Sequence, residues 1–161
     1  MKEEDVNAFL TPAMLVWGME LDVALDFTGA KAVASQYTTD RLTTVIGING
    51  DLKGNVLYEM SEDTSLLVAA RMLGEYITKL GEIALLAIGE LANMITGNAA
   101  TELSSYDYRC DITQPVIIKP TNATVFTPES PQILADFSSE FGQLSVRICL
   151  TESLARSGVV A

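Results

Sequence analysis

Between Leu80 and Leu103 the chain reads LGEIALLAIGELANMITGNAATEL, and no other stretch limits the possible folds as much. Leu85, Ile88, Leu91, Ala92, Ile95, Ala99 and Leu103 recur at helical spacing and form one apolar stripe, wide enough to face a core. A helix with such a back has to be buried along its length against another layer. Its front is different. Glu90 and Asn93 lie three residues apart and therefore share a face, and they are the only hydrogen-bonding side chains expected in the middle of the segment. Leu86 precedes them by one turn on that face, Gly97 follows by one turn, and Met94 accompanies them. A glycine inside a helix costs about 1 kcal/mol relative to alanine. Gly97 therefore marks either a helix end or a place of close approach.

The 161 residues are 48% hydrophobic and 19% charged, which fits one globular domain, residues 1–161, with a loose tail from 155 to 161. Ten basic against 21 acidic residues give a net charge of −11. Nucleic-acid binding is not expected of such a chain, and partners that present basic groups are. There is no histidine, which removes Ser-His-Asp triads, Cys-His pairs and histidine-ligated zinc together. Cys110 and Cys149 have no metal-ligand spacing and read as inert, buried free thiols of a reducing compartment, with a disulfide left open. The acidic N-terminus, MKEEDVNAFLTP, is unlike a secretory signal. Pro12, Gly18, Glu82 and Glu90 interrupt the apolar runs, so no membrane span is expected and the cytoplasm is the expected location.

Along the chain, residues 5–21 carry helical spacing, with Phe9 and Trp17 as core candidates. Pro12 implies either a kink or a helix that begins near Thr11. A short strand, Val23 to Thr28, follows. The stretch from Leu42 to Met60 reads as a β-hairpin whose turn is NGDLKG. Ser61 opens a second helix that Gly74 stops, and Thr78 is a candidate cap for the central one. Residues 104–113 look polar and irregular. PVIIK, ATVFTP, ILADFSSE and QLSVRICL read as strands, the last with Leu144, Val146, Ile148 and Leu150 on one face and Ser145, Arg147 and Cys149 on the other. Asp22 and Asp26 read as solvent-facing, and Glu3 to Asp5 as a solvated helix start. The order of elements predicts an α+β fold, a layered α/β sandwich whose long helices cover a mainly antiparallel sheet.

A carboxamide donates and accepts at once, so it can hold a water in a fixed orientation. A carboxylate one turn away can pair with a partner's lysine or arginine. Such a pair suits hydrolysis of a bond that another molecule has already activated, with position supplying the acceleration. The plain alternative is a wet polar patch on an amphipathic helix. Against it, Leu86 and Met94 make this face something other than a simple solvated stripe.

The segment ELANMITGNA, Glu90 to Ala99, resembles the core motif of the CheC/CheX/FliY phosphatases of bacterial chemotaxis: a Glu, two residues, an Asn, then a Gly four residues on. TTVIGINGDLKGNVLYEM resembles the family's hairpin, SLLVAARMLG its second helix and ITQPVII its segment after the catalytic helix, in the family's order. The resemblance covers roughly two-thirds of the chain, which is more specific than the short motif alone. It implies a CheC-like fold. CheC and FliY proteins carry the motif on two pseudosymmetric helices and CheX proteins on one; the N-terminal helix here offers Glu20-Leu21-Asp22-Val23, without the Asn, so the resemblance is to the CheX type. It further implies an enzyme, a phosphatase of the aspartyl phosphate of a CheY-type receiver domain. Asn93 would orient the attacking water and Glu90 would contact the receiver's lysine. Leu86, Met94 and Gly97 would lie at the docking surface. No metal or cofactor of its own is implied, since Mg2+ would sit on the receiver, and a homodimer formed through the sheets is expected. The fuller family pattern has Asp or Ser where this chain has Leu86, so one polar docking contact is missing. That departure keeps a second reading open, a receiver-binding module without turnover. A component of the flagellar switch, by analogy with FliY, is a third.

Overall fold

The computed structural model describes residues 1–126 and 132–154. Its helices are α1 (Glu3–Leu21), α2 (Glu62–Leu73) and α3 (Glu82–Ser104). Its strands are β1 (Leu25–Val33), β2 (Gln36–Thr38), β3 (Leu42–Gly50), β4 (Leu52–Met60), β5 (Cys110–Ile112), β6 (Val116–Ile118), β7 (Thr124–Phe126), β8 (Gln132–Ser139) and β9 (Gly142–Glu152). One sheet runs in the order β1-β8-β9-β4-β3-β5, with β6 also on β3, and all of its pairings are antiparallel. β2 and β7 form a separate two-stranded ribbon. This is the expected α+β sandwich.

Alternation along the strands sorts the two faces. Leu42, Ile46 and Ile48 of β3, Val56, Tyr58 and Met60 of β4, and Leu144, Val146, Ile148 and Leu150 of β9 join Phe9, Trp17, Ile88, Leu91, Ile95 and Leu103 of the helices in one core. The strand partition expected for β9 holds. Its second face is nevertheless buried as well, with Ser145, Arg147 and Cys149 all covered. The cover includes the β2–β7 ribbon, whose Tyr37 packs on Leu57 and Cys149. Beneath it Arg147 lies 4.8 Å over the Tyr37 ring and 3.7 Å from Glu59, and Arg41 donates to Glu59 at 2.9 Å. Burial raises the Glu59 pKa even against both arginines.

Local chemistry explains most of the helix ends. Ser61 accepts the backbone N–H of Thr64 to cap α2, and Gly74 closes it at φ 68°. α1 starts at Glu3 and runs through Pro12 without ending, because Phe9, Ala13, Val16 and Trp17 anchor both sides of it in the core. Asp5 is not part of a solvated start. It is buried and accepts the Lys2 backbone N–H at 2.9 Å. Thr78 does not cap α3; Gly81 occupies that position. Asp22 is exposed, yet it is the left-handed cap of α1 rather than part of a strand, and β1 begins only at Leu25. The hairpin turn is tighter than NGDLKG suggests, since β4 already starts at Leu52 and Gly54 lies within it. There a Cβ would collide with the Cys149 carbonyl oxygen of β9. The cysteines are free, Cys149 buried and Cys110 half-buried. The end of ATVFTP and the tail from residue 155 lie outside the described residues.

Candidate active site on the central helix

α3 buries Ile88, Leu91, Ala92, Ile95, Ala99 and Leu103 as its spacing predicts. Its middle also contains a third hydrogen-bonding side chain that the sequence reading passed over, Thr96, which is fully buried. The Thr96 hydroxyl donates back to the Ala92 carbonyl at 2.7 Å, so Tyr58 of β4 is left to donate to Thr96 at 2.8 Å. Burial pushes the Tyr58 pKa up and keeps the phenol protonated. This bond ties the buried face of α3 to β4 and favours one rotation of the helix about its axis relative to the sheet. That rotation aims the opposite face outward.

On that face Glu90 is exposed and Asn93 is half-buried, one turn apart. Leu86 is 64% exposed and Gly97 is half-buried, so the structure brings together the four residues expected to share the face. Met94 is only partly aligned with them, because it packs on the edge of the core. Ile83, not singled out from sequence, is 67% exposed and extends the same stripe one turn beyond Leu86.

Residues 112–118 run along one flank of α3. A Cβ at Gly89 would meet Pro115 Cγ at 3.3 Å and Ile117 Cδ1 at 3.5 Å, whereas one at Gly97 would meet only Ile112 Cδ1, at 4.0 Å. Gly89 is therefore the glycine that is tightly packed inside this chain, since a Cβ there would need the Pro115 ring to give by a few tenths of an ångström. Gly97 is not: a methyl there would make ordinary contact. Its missing side chain leaves a low point on the outer face next to Asn93, and nothing in the fold among the described residues demands it. The chain provides a core helix that carries a half-buried carboxamide and an exposed carboxylate one turn apart on its outer face. That arrangement can orient a water and grip a cationic group on an incoming surface. Among the described residues no three Cys, Asp or Glu side chains are placed to hold a metal ion.

The Glu-x-x-Asn spacing occurs a second time, at Glu4 and Asn7 near the start of α1 rather than at Glu20 near its end. Its setting differs. The pair sits in the first turns of its helix, Glu4 is half-buried, and Thr11 stands where the α3 pair has Gly97. By length and composition α3 would qualify to cross a membrane, contrary to the expectation from its interrupting charges, but half of its most apolar window is buried inside the fold. Its apolarity is that of a core helix.

The chain matches the family model described as Chemotaxis phosphatase CheX over residues 42–138. It is 44% identical over 79 residues to the CheY-P phosphatase CheX of Thermotoga maritima; the match takes in 48% of this chain and 50%, about half, of that relative. The crystal structure of chemotaxis protein CheX from Vibrio vulnificus superposes with a TM-score of 0.82 at 27% identity, covering 92% of this chain and 99% of the other. A chain of the CheX–CheY–BeF3–Mg2+ complex from Borrelia burgdorferi shares the fold, with a TM-score of 0.80 at 22% identity over 91% of this chain and 97% of its own. The matched region runs from β3 into β8 and contains the whole of α3 with Glu90 and Asn93. With α3, its flank and strands β3 to β6 inside that match, which spans more than half of the chain, the chain belongs to the CheX chemotaxis phosphatase family.

Proposed function

We propose that this chain is a phosphatase of phosphorylated receiver domains of the CheY type, acting in bacterial chemotaxis signalling. The observation that carries the reading is the Glu90–Asn93 pair on the outer face of a core helix, within the part of the chain that matches the family. Asn93 holds the attacking water in line with the scissile bond of the receiver's aspartyl phosphate. Glu90 pairs with a lysine at the receiver's active site and sets the docking geometry. Leu86 and Gly97 lie under the docked receiver, with Met94 at the margin. The magnesium ion belongs to the receiver. The net charge of −11 favours approach of a partner whose contact surface carries basic groups.

The same reading includes a cytoplasmic location and a homodimer joined through the sheets. Support for the dimer comes from β1, which closes one end of the sheet, pairs only with β8 among the described residues, and is largely exposed over its nine residues. Such an edge is a ready template for a second copy. A second functional reading, a module that binds receivers without turnover, is favoured by one observation, Leu86 in place of Asp or Ser. The test is phosphate release from acetyl-phosphate-charged receivers of the same organism. Faster release with wild type, and not with Asn93→Ala, supports the phosphatase. Tight binding with an unchanged receiver lifetime supports the module.

A further inference from the structure

The outer face of α3 changes character along its axis. N-terminal to the Glu90–Asn93 pair stand Ile83 and Leu86, 67% and 64% exposed, with the exposed Glu82 one turn before Leu86 at the helix start. C-terminal to it, beyond Gly97, stand Asn98, Thr101 and Ser104, all exposed, with side chains bonded to carbonyls of their own helix. At 1.5 Å of rise per residue, Leu86 lies about 10 Å and Ile83 about 15 Å along the axis from Asn93. A specific protein contact covers about 800 Å2 on each partner. A footprint of that area centred on Asn93 has a radius of about 16 Å, so it covers Leu86 and reaches Ile83 at its rim.

Covering two aliphatic side chains removes them from water, which is favourable against an apolar group and unfavourable against a charged or hydroxylated one, which loses its hydration without gaining a partner. We infer that Ile83 and Leu86 form an apolar pad that selects receivers carrying an aliphatic or aromatic side chain on the rim facing the N-terminal half of α3. This rests on the phosphatase reading above and names the class of its substrate. The pad acts on recognition. It lies too far from Asn93 to touch the water, and its exposure leaves it no part in the core.

The experiment follows dephosphorylation of acetyl-phosphate-charged receiver domains over a range of receiver concentrations. It uses wild type, Asn93→Ala, Leu86→Ser and Ile83→Ser/Leu86→Ser. The pad predicts a rise in KM of about tenfold for the double variant, with kcat within about twofold, from the loss of two aliphatic contacts. It also predicts that replacing the receiver's facing apolar side chain by serine raises KM for wild type and adds little for the double variant. If Asn93→Ala abolishes turnover while the double variant keeps the wild-type KM, the pad is wrong and the phosphatase reading stands. If Asn93→Ala leaves the rate unchanged, the phosphatase reading fails and the pad falls with it.

Discussion

Gly97→Ala separates the two meanings a glycine can have inside a helix. Gly97 lies within α3 and its φ is not positive, so alanine adopts the same backbone without strain. The new methyl group would meet Ile112 Cδ1 at 4.0 Å, an ordinary contact. With no clash to offset it, the helix-propensity gain of about 1 kcal/mol should reach the stability of the protein nearly whole. For a chain of this size that corresponds to a rise in Tm of about 2–4 °C. On the outer face the same methyl group fills the low point beside Asn93. A receiver seated there has to move away or deform, and a penalty on the scale of overpacking raises KM by about tenfold. Thermal denaturation and steady-state dephosphorylation of one variant read both effects. A fall in Tm would refute the packing argument. A raised Tm with an unchanged KM would refute the assignment of Gly97 to clearance for a partner. Gly89→Ala is the internal control: the Pro115 ring sits 3.3 Å from the new carbon, so the propensity gain should be largely cancelled or reversed.

Further predictions concern the support of the site and the sheet behind it. Thr96→Val strands the buried Tyr58 hydroxyl and should cost about 1–3 kcal/mol, whereas Tyr58→Phe leaves Thr96 its bond to Ala92 and should cost about 1 kcal/mol; urea denaturation showing the reverse order would refute the donor assignment. Because burial raises the folded-state pKa of Glu59 above its ordinary 4.5, its contribution to stability is present in acid and is lost as pH rises through the raised value. Glu59→Gln should remove that component from the pH profile of unfolding, and an unchanged profile would count against it. Burial pushes the Cys149 thiol up to about 11, so native protein at neutral pH should resist alkylation there until it unfolds; rapid labelling of Cys149, located by peptide mapping, would contradict the cover provided by the ribbon.

The sequence was informative where one period ran long and uninterrupted. Residues 80–103 announced a core helix because its apolar positions never leave register, and Ser61 and Gly74 marked the ends of α2 because caps depend on single residues. The face of the candidate site followed from that same periodicity. What stayed hidden depends on contacts between distant segments. The three residues of β2 gain a partner only by pairing with β7 and make too short a pattern to read, although ATVFTP marks β7 itself. The cover over Arg147, Glu59 and Cys149 was hidden with them. Pro12 implies a kink or a start near Thr11 for a helix that the core on both sides of it sustains from Glu3 onward. Thr96 reads as one more small residue of α3 until Tyr58 is placed 2.8 Å away. Gly89 and Gly97 look alike in sequence, and only the position of Pro115 distinguishes the tightly packed glycine from the other.

The central claim is that Asn93 positions the water that cleaves the receiver's aspartyl phosphate. The most direct measurement is the decay of phosphoreceiver at saturating enzyme, comparing wild type with Asn93→Ala, after binding and thermal stability of the variant have been matched to wild type. The account predicts that the variant still binds, while decay falls back to the receiver's own spontaneous rate. Decay at the wild-type rate with Asn93→Ala would contradict it.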